Sequence, residues 1–349
     1  MTKTIIWHTQ DFLLIFLLVV VAFVITIALT PLLTAVLYHF KLWKKPKSEA
    51  ITGEKAAVYQ KLHGEKHRRH VPTMAGILVW FVVTALTLLF NKSRAQTYLP
   101  TFTLVSFGLL GLVDDLINVR QSNGVAGLRF WMKMFWLIAL SSLGAWWFYY
   151  KLGFSAIHVP LGEKLFGLPP LVEIGWFYIP LFILVIVSTA NAVNLTDGLD
   201  GLAGGLLSVV FGAYVLIALT QGKLALAAFC GTLVGATLAY TWFNIYPARF
   251  FMGDTGSLAL GATLGVIAML TNTALVLPII GFVFVIDTLS SIIQIASKKL
   301  TGRKVFIVAP LHHHLEAMGW PETKVTMRLW VIGTVFAVVG LFIALLGRG

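Results

Sequence analysis

The chain has 349 residues, of which 58% are hydrophobic and only 11% charged, where a soluble domain carries about 25% charged residues. That balance argues against a water-soluble enzyme and predicts an all-α, polytopic integral membrane protein, because open strands in lipid would leave backbone groups unpaired. The net charge of +12 calls for no nucleic acid, since anionic headgroups and anionic substrates account for it.

In chain order, Met1–Asp11 carries only Lys3 and no small-residue cleavage pattern, so it reads as the lead into a retained first helix. Apolar spans follow at Phe12–Tyr38, Ala75–Phe90, Leu99–Val113, Phe130–Tyr150 and Trp176–Val193. The second half continues with Leu202–Leu219, Leu224–Trp242, Ser257–Leu270, Leu275–Ala296 and Val325–Leu346. A crossing helix needs roughly 20 apolar residues, so these spans predict about ten transmembrane helices. The count becomes nine or eleven if Leu275–Ala296 breaks at Pro278. The longest polar stretch, Lys41–Thr73, is too short to bury a core of its own. Residues 1–349 therefore form one transmembrane helical domain, and Lys151–Gly175, with Pro169 and Pro170, reads as an external loop. Cys230, the single cysteine, lies inside a span and excludes a disulfide framework or thiolate cluster.

Five polar loops, at 41–73, 114–129, 194–201, 243–256 and 297–324, follow the odd-numbered spans and so share one face of the membrane. They and their flanks hold 19 of the 26 Lys and Arg residues. The positive-inside rule places them in the cytoplasm and both termini outside, in the periplasm. All but one of the acidic residues lie outside the spans, Asp287 being the exception. A transporter would place ionisable residues in mid-membrane, so this distribution favours a surface enzyme.

Each polar loop carries chemistry. Asp114 and Asp115 close the third span and diverge by about 100° if helical. One can approach a metal while the other acts as a base, or both can mark the membrane boundary. Asn194, Thr196, Asp197 and Asp200, among Gly198, Gly201, Gly204 and Gly205, suit nucleoside recognition or metal binding. Asp197 and Asp200 share a face if that turn is helical, and Asn194 or Thr196 can cap the following helix. Asp254 lies after Gly253 at a helix start, where a carboxylate can hold Mg²⁺ against phosphates. Phe250 and Phe251 can stack on a base or pack in the bundle. His312-His313-His314 do not suit one zinc ion and fit phosphate donation or leaving-group positioning. Lys133 can capture phosphate or snorkel to the interface. Lys66-His67-Arg68-Arg69-His70-Val71-Pro72-Thr73 reads as an orientation signal or a headgroup contact.

Together these motifs resemble the bacterial phospho-N-acetylmuramoyl-pentapeptide transferase family, within the polyprenyl-phosphate N-acetylhexosamine-1-phosphate transferases. The resemblance rests on Gly111-Leu112-Val113-Asp114-Asp115, Asn191 through Ala203, Trp242 through Ser257, and Ala309 through Glu316, in order from Pro72 to about Trp330. It implies ten transmembrane helices in the bacterial cytoplasmic (inner) membrane with an active site facing the cytoplasm. It also implies transfer from UDP-N-acetylmuramoyl-pentapeptide to undecaprenyl phosphate, with Mg²⁺, giving lipid I and UMP. Carried over, Asp114 would deprotonate or orient the lipid phosphate beside Asp115, Asp254 would bind Mg²⁺, and Lys133 would contact phosphate. Gly198, Leu199, Asp200 and Asn244 would line the uracil pocket, with Phe251 stacking. Thr73 and Asp197 would lie along the uridine side, and His312 and His313 near the diphosphate. Asn194 and His314 are counted with the substrate-binding set. The chain departs from the family pattern at His70–Gly76, at Arg68 and Asn118 where Lys is usual, and at Asp287 where Glu is usual. A sister enzyme with another UDP-sugar donor is the competing reading, and a homodimer is left open.

Overall fold

The computed structural model describes residues 9–43, 70–120, 127–163 and 167–346. Lys66–Arg69, with most of the first polar loop, lies outside the described residues. The elements run α1 (Thr9–His39), α2 (Gly76–Phe90), α3 (Tyr98–Arg120), α4 (Phe130–Trp146), β1 (Ala156–His158) and β2 (Leu171–Glu173). They continue with α5 (Tyr178–Thr196), α6 (Leu202–Thr220), α7 (Leu224–Asn244), α8 (Asp254–Leu270) and the one-turn α9 (Leu277–Ile280). Last come α10 (Phe282–Thr301), the short α11 (Leu311–Ala317) and α12 (Glu322–Leu346). Among the described residues six helices, α1, α3, α5, α6, α7 and α12, are long and apolar enough to cross a membrane. The shorter α2 and α8 are also apolar.

α8 is the centre of the bundle: every residue from Thr255 to Leu270 is buried, and α2, α3, α5 and α6 pack around it. A helix ringed by others needs small residues where backbones approach. A Cβ on Gly111 of α3 would collide with the Asp254 carbonyl, and one on Gly76 of α2 would collide with Gly256. Gly261 and Gly265 do the same service against Thr189 and Ala190 of α5. α1 packs on α7, and α12 on α6. The outer faces of α1, α4 and α12 expose Leu, Val, Phe and Trp side chains, a surface that lipid would cover.

Several sequence expectations are corrected. α3 does not end at Val113 but runs to Arg120, so the Asp114–Asp115 pair lies within a helix. Hydropathy marks where lipid would end, whereas the backbone ladder continues because Asp115 and Asn118 are buried inward. The ninth span is interrupted at Gly281, not at Pro278. Proline is tolerated in the first turn of α9, and α10 restarts after the glycine. The 151–175 segment contains a hairpin in which Ile157 pairs with Val172. Asn272 braces it, accepting the His158 N–H at 3.0 Å.

Candidate active site

Three helices bring one lysine to two carboxylates. Lys133, in the first turn of α4, sits 3.5 Å from Asp114 Oδ2 of α3 and forms a closer ion pair with Asp254 Oδ2 at the start of α8. All three side chains are largely buried. The Leu128 N–H donates to Asp114 Oδ1 at 2.5 Å, just after Gly127 at φ 73°. Two carboxyl groups thus converge on one lysine.

Asp115 points elsewhere, as neighbours on a helix must. Its Oδ2 accepts from Thr255 N–H at 3.0 Å and from Thr255 Oγ1 at 2.8 Å. Thr255 is in the first turn of α8, so Asp115 satisfies donors that the helix start leaves orphaned and meets its positive end. Gly253 begins that turn at φ 73°, and a Cβ there would strike Asp115 and Thr73 Oγ1. Thr73 is fully buried and its hydroxyl has no hydrogen-bond partner among the described residues.

The second half of the site is built on histidines. His312 and His313 belong to α11, which places the triple histidine on a short helix. His312 Nδ1 lies 2.8 Å from Asp287 Oδ2, and His313 Nδ1 lies 2.8 Å from Glu316 Oε2. Each carboxylate fixes the ring orientation and directs Nε2 outward. Both Nε2 atoms face Gly198, where a Cβ would collide with His312. His312 Nε2 is buried without a hydrogen-bond partner among the described residues. His314 instead accepts the Ile307 N–H at 3.2 Å.

Loops join the two halves. Asp200 Oδ2 accepts Ala248 N–H at 3.0 Å, while its own N–H donates to Glu322 Oε1 at 2.7 Å. Asn244 accepts Gly201 N–H through Oδ1 at 2.9 Å and donates through Nδ2 to the Phe250 carbonyl at 2.8 Å. Phe251 N–H donates to the Pro72 carbonyl at 2.8 Å, and Ala75 N–H to the Phe251 carbonyl at 3.0 Å. Asn194 Nδ2 donates to Ser257 Oγ at 2.8 Å, tying α5 to α8. Every polar loop therefore contributes described residues to one end of the bundle.

Within this frame, Asp200, Asn244 and Leu199 are buried, and the first two turn polar side-chain atoms to inter-loop hydrogen bonds. Asp197, Gly198 and Phe251 are half-buried, whereas Phe250 is packed against Tyr240 and Phe243. The Asp197–Asp200 segment is a turn, not helix. Neither Asn194 nor Thr196 caps α6: both lie in α5, and Gly201 at φ 79° is the N-cap. The sequence reasoning missed Asp287, Glu316 and Glu322. Asp287 carried a signal as the lone acid in an apolar span, and Glu316 as a carboxylate three residues beyond His313.

The donor set can be tested against Mg²⁺. Among the described residues no three His, Cys, Asp or Glu side chains cluster to hold a metal. Mg²⁺ needs no such cage, taking one or two carboxylates and leaving the rest to water and phosphate. The Asp114–Asp254 pair, with the orphaned Thr73 hydroxyl next to Gly253, fits that requirement.

A family model described as Glycosyl transferase family 4 matches residues 97–272, from α3 through α8. The phospho-N-acetylmuramoyl-pentapeptide-transferase of Geobacillus sp. (strain WCH70) is 40% identical over 330 residues, covering 93% of this chain and 96% of that protein. The protein of the same name from Geobacillus kaustophilus (strain HTA426) is 41% identical over 328 residues, covering 93% and 95%. That of Chloroflexus aurantiacus (strain ATCC 29366 / DSM 635 / J-10-fl) is 43% identical over 291 residues, covering 79% and 77%.

The two neighbouring aspartates should separate in their effects. Asp115→Ala should lower unfolding stability by about 2–3 kcal/mol, because buried donors on Thr255 lose a charged acceptor. Asp114→Asn should leave the melting curve within about 1 kcal/mol while abolishing turnover, because Lys133 keeps its ion pair with Asp254 and the amide oxygen still accepts the Leu128 N–H. Thermal unfolding in detergent, run beside an activity assay, checks both; equal stability losses would contradict the division.

Proposed function

The chain belongs to the phospho-N-acetylmuramoyl-pentapeptide transferase family, and on that footing we propose that it transfers phospho-N-acetylmuramoyl-pentapeptide from UDP to undecaprenyl phosphate. The products are lipid I and UMP. The observation that carries this reading is the Asp114–Lys133–Asp254 cluster at the same bundle end as the Asp287–His312 and Glu316–His313 pairs. A reaction between two phosphate-bearing substrates needs cations and donors where negative charge gathers.

We favour direct displacement. An oxygen of the lipid phosphate attacks the sugar-bearing phosphorus of the donor, forming one P–O bond. The bond from that phosphorus to the bridging oxygen breaks, and UMP leaves with the electron pair. Asp114 orients or deprotonates the attacking phosphate, and Lys133 offsets the charge of two anions brought together. Asp254 and Asp114 are the residues that would hold Mg²⁺. When bound, Mg²⁺ would neutralise the diphosphate and ease departure of UMP. His312 and His313, held by their carboxylates, offer Nε2 to the diphosphate beside Gly198. Phe251 gives the base a stacking face, with Asp197 and Gly198 beside it. Asp200 and Asn244 hold those loops in register.

In this reading α1 to α8, α10 and α12 cross the cytoplasmic membrane, with the site on the cytoplasmic side and both termini in the periplasm. The basic residues of the odd loops support that orientation. In intact cells, a membrane-impermeant thiol reagent should label Lys92→Cys and not Thr301→Cys, with the buried Cys230 removed. The reverse pattern would overturn the orientation. The activity itself is tested by incubating purified protein with UDP-N-acetylmuramoyl-pentapeptide and undecaprenyl phosphate. UMP should be released in step with lipid I. Equal or faster turnover with UDP-N-acetylglucosamine would instead assign a sister transferase.

A further inference from the structure

The first two turns of α12 present two faces. Glu322, Thr326 and Trp330, spaced by four, hold the 200–201 loop. Glu322 accepts the Asp200 N–H at 2.7 Å, Thr326 Oγ1 donates to the Asp200 carbonyl at 3.3 Å, and Trp330 Nε1 donates to the Gly201 carbonyl at 3.2 Å. Lys324 and Arg328 are two residues out of phase, about 200° around the helix axis, and both are exposed. Lys324 Nζ lies 4.9 Å and Arg328 Cζ 4.6 Å from the centroid of the Trp320 ring. Neither pairs with a carboxylate among the described residues. Two like charges gathered on one ring repel each other, and an anion between them would relieve that cost. Beyond them Met327, Val331, Val335, Val338 and Phe342, each more than half exposed, form an apolar stripe along α12.

We propose that Lys324, Arg328 and Trp320 bind the phosphate headgroup of an anionic bilayer phospholipid whose acyl chains lie along that stripe. Charge complementarity selects an anion, the apolar stripe selects one attached to hydrocarbon, and Trp with Lys or Arg is the usual furniture of a membrane–water interface. The headgroup would steady the end of α12, whose opposite face anchors the loop carrying Asp200. The site shares with the proposed function the premise that this end of the bundle meets the membrane surface. Its readout is lipid retention, so it stands or falls independently of turnover.

The test uses full-length wild type and the Lys324→Gln/Arg328→Gln double variant in detergent. Phosphatidylglycerol, phosphatidylcholine, undecaprenyl phosphate or inorganic phosphate is titrated, bound lipid is counted by native mass spectrometry, and unfolding is followed by calorimetry. Wild type should retain phosphatidylglycerol at least about tenfold better than phosphatidylcholine and melt higher with it. The double variant should lose that preference while melting like wild type in phosphatidylcholine. Should the double variant fail to fold, the single variants and the charge-retaining Lys324→Arg/Arg328→Lys decide. The charge-retaining pair should keep the preference, and each single variant should weaken it. An unchanged preference in the neutral variants overturns the proposal. An equal response to inorganic phosphate overturns the lipid assignment, and a selective response to undecaprenyl phosphate gives the site to the acceptor. A change only in dimer mass, with lipid preference intact, makes this face a contact between copies.

Discussion

Lys133 facing two carboxylates is the constraint on which the rest of the structure turns. Burying three ionisable groups is expensive unless each is paired and held. The charges here come from α3, α4 and α8, so the ends of three helices must converge before any of them can be satisfied. Glycines permit the approach, with Gly111 opening α3 to α8 and Gly76 opening α2 to α8. Asp115 then ties the first turn of α8 to α3 through Thr255. One aspartate of the pair ties α3 to the start of α8 and the other faces Lys133, although they are adjacent in sequence. In the proposed reading, Asp114 and Asp254 are the carboxylates that would hold a divalent cation.

The histidine side follows the same logic of partners behind partners. Asp287 and Glu316 engage the inner nitrogens of His312 and His313, so the outer nitrogens are aimed before substrate arrives. Pre-aimed donors cost little reorganisation when charge develops. Asp287 also bears on the choice between enzyme and transporter. It is the one acid inside the apolar spans read from the sequence, and its carboxylate is engaged by a buried histidine of the site. An ion pathway through mid-membrane therefore gains nothing from it.

Much of this was legible in the sequence, in a graded way. Long apolar runs located the helices because lipid-facing positions leave no alternative to hydrophobic residues. Their ends were less legible. Asp114–Arg120 continues a helix beyond the apolar run, and Asp254–Gly256 begins one before it, since hydrogen bonding and hydropathy report different boundaries. The motifs identified the loops that meet, but roles within them depended on partners far along the chain. Asp200 and Asn244 look like base-reading residues in sequence; only the fold brings Ala248, Glu322, Gly201 and Phe250 to their polar atoms. Asp287 is 25 positions from His312, a pairing that no local spacing predicts. The 156–173 hairpin was hidden by its short strands and by prolines that read as loop.

Direct counting of bound Mn²⁺, as a reporter for Mg²⁺, tests the central claim most closely. Electron paramagnetic resonance of the free ion, in the presence of UDP-N-acetylmuramoyl-pentapeptide, measures it without requiring turnover. Wild type should bind Mn²⁺ in competition with Mg²⁺, and Asp254→Asn should weaken that binding by about tenfold or more, roughly 1.4 kcal/mol. Equal Mn²⁺ affinity in wild type and in a folded Asp254→Asn would mean that the carboxylates around Lys133 are not the cation site.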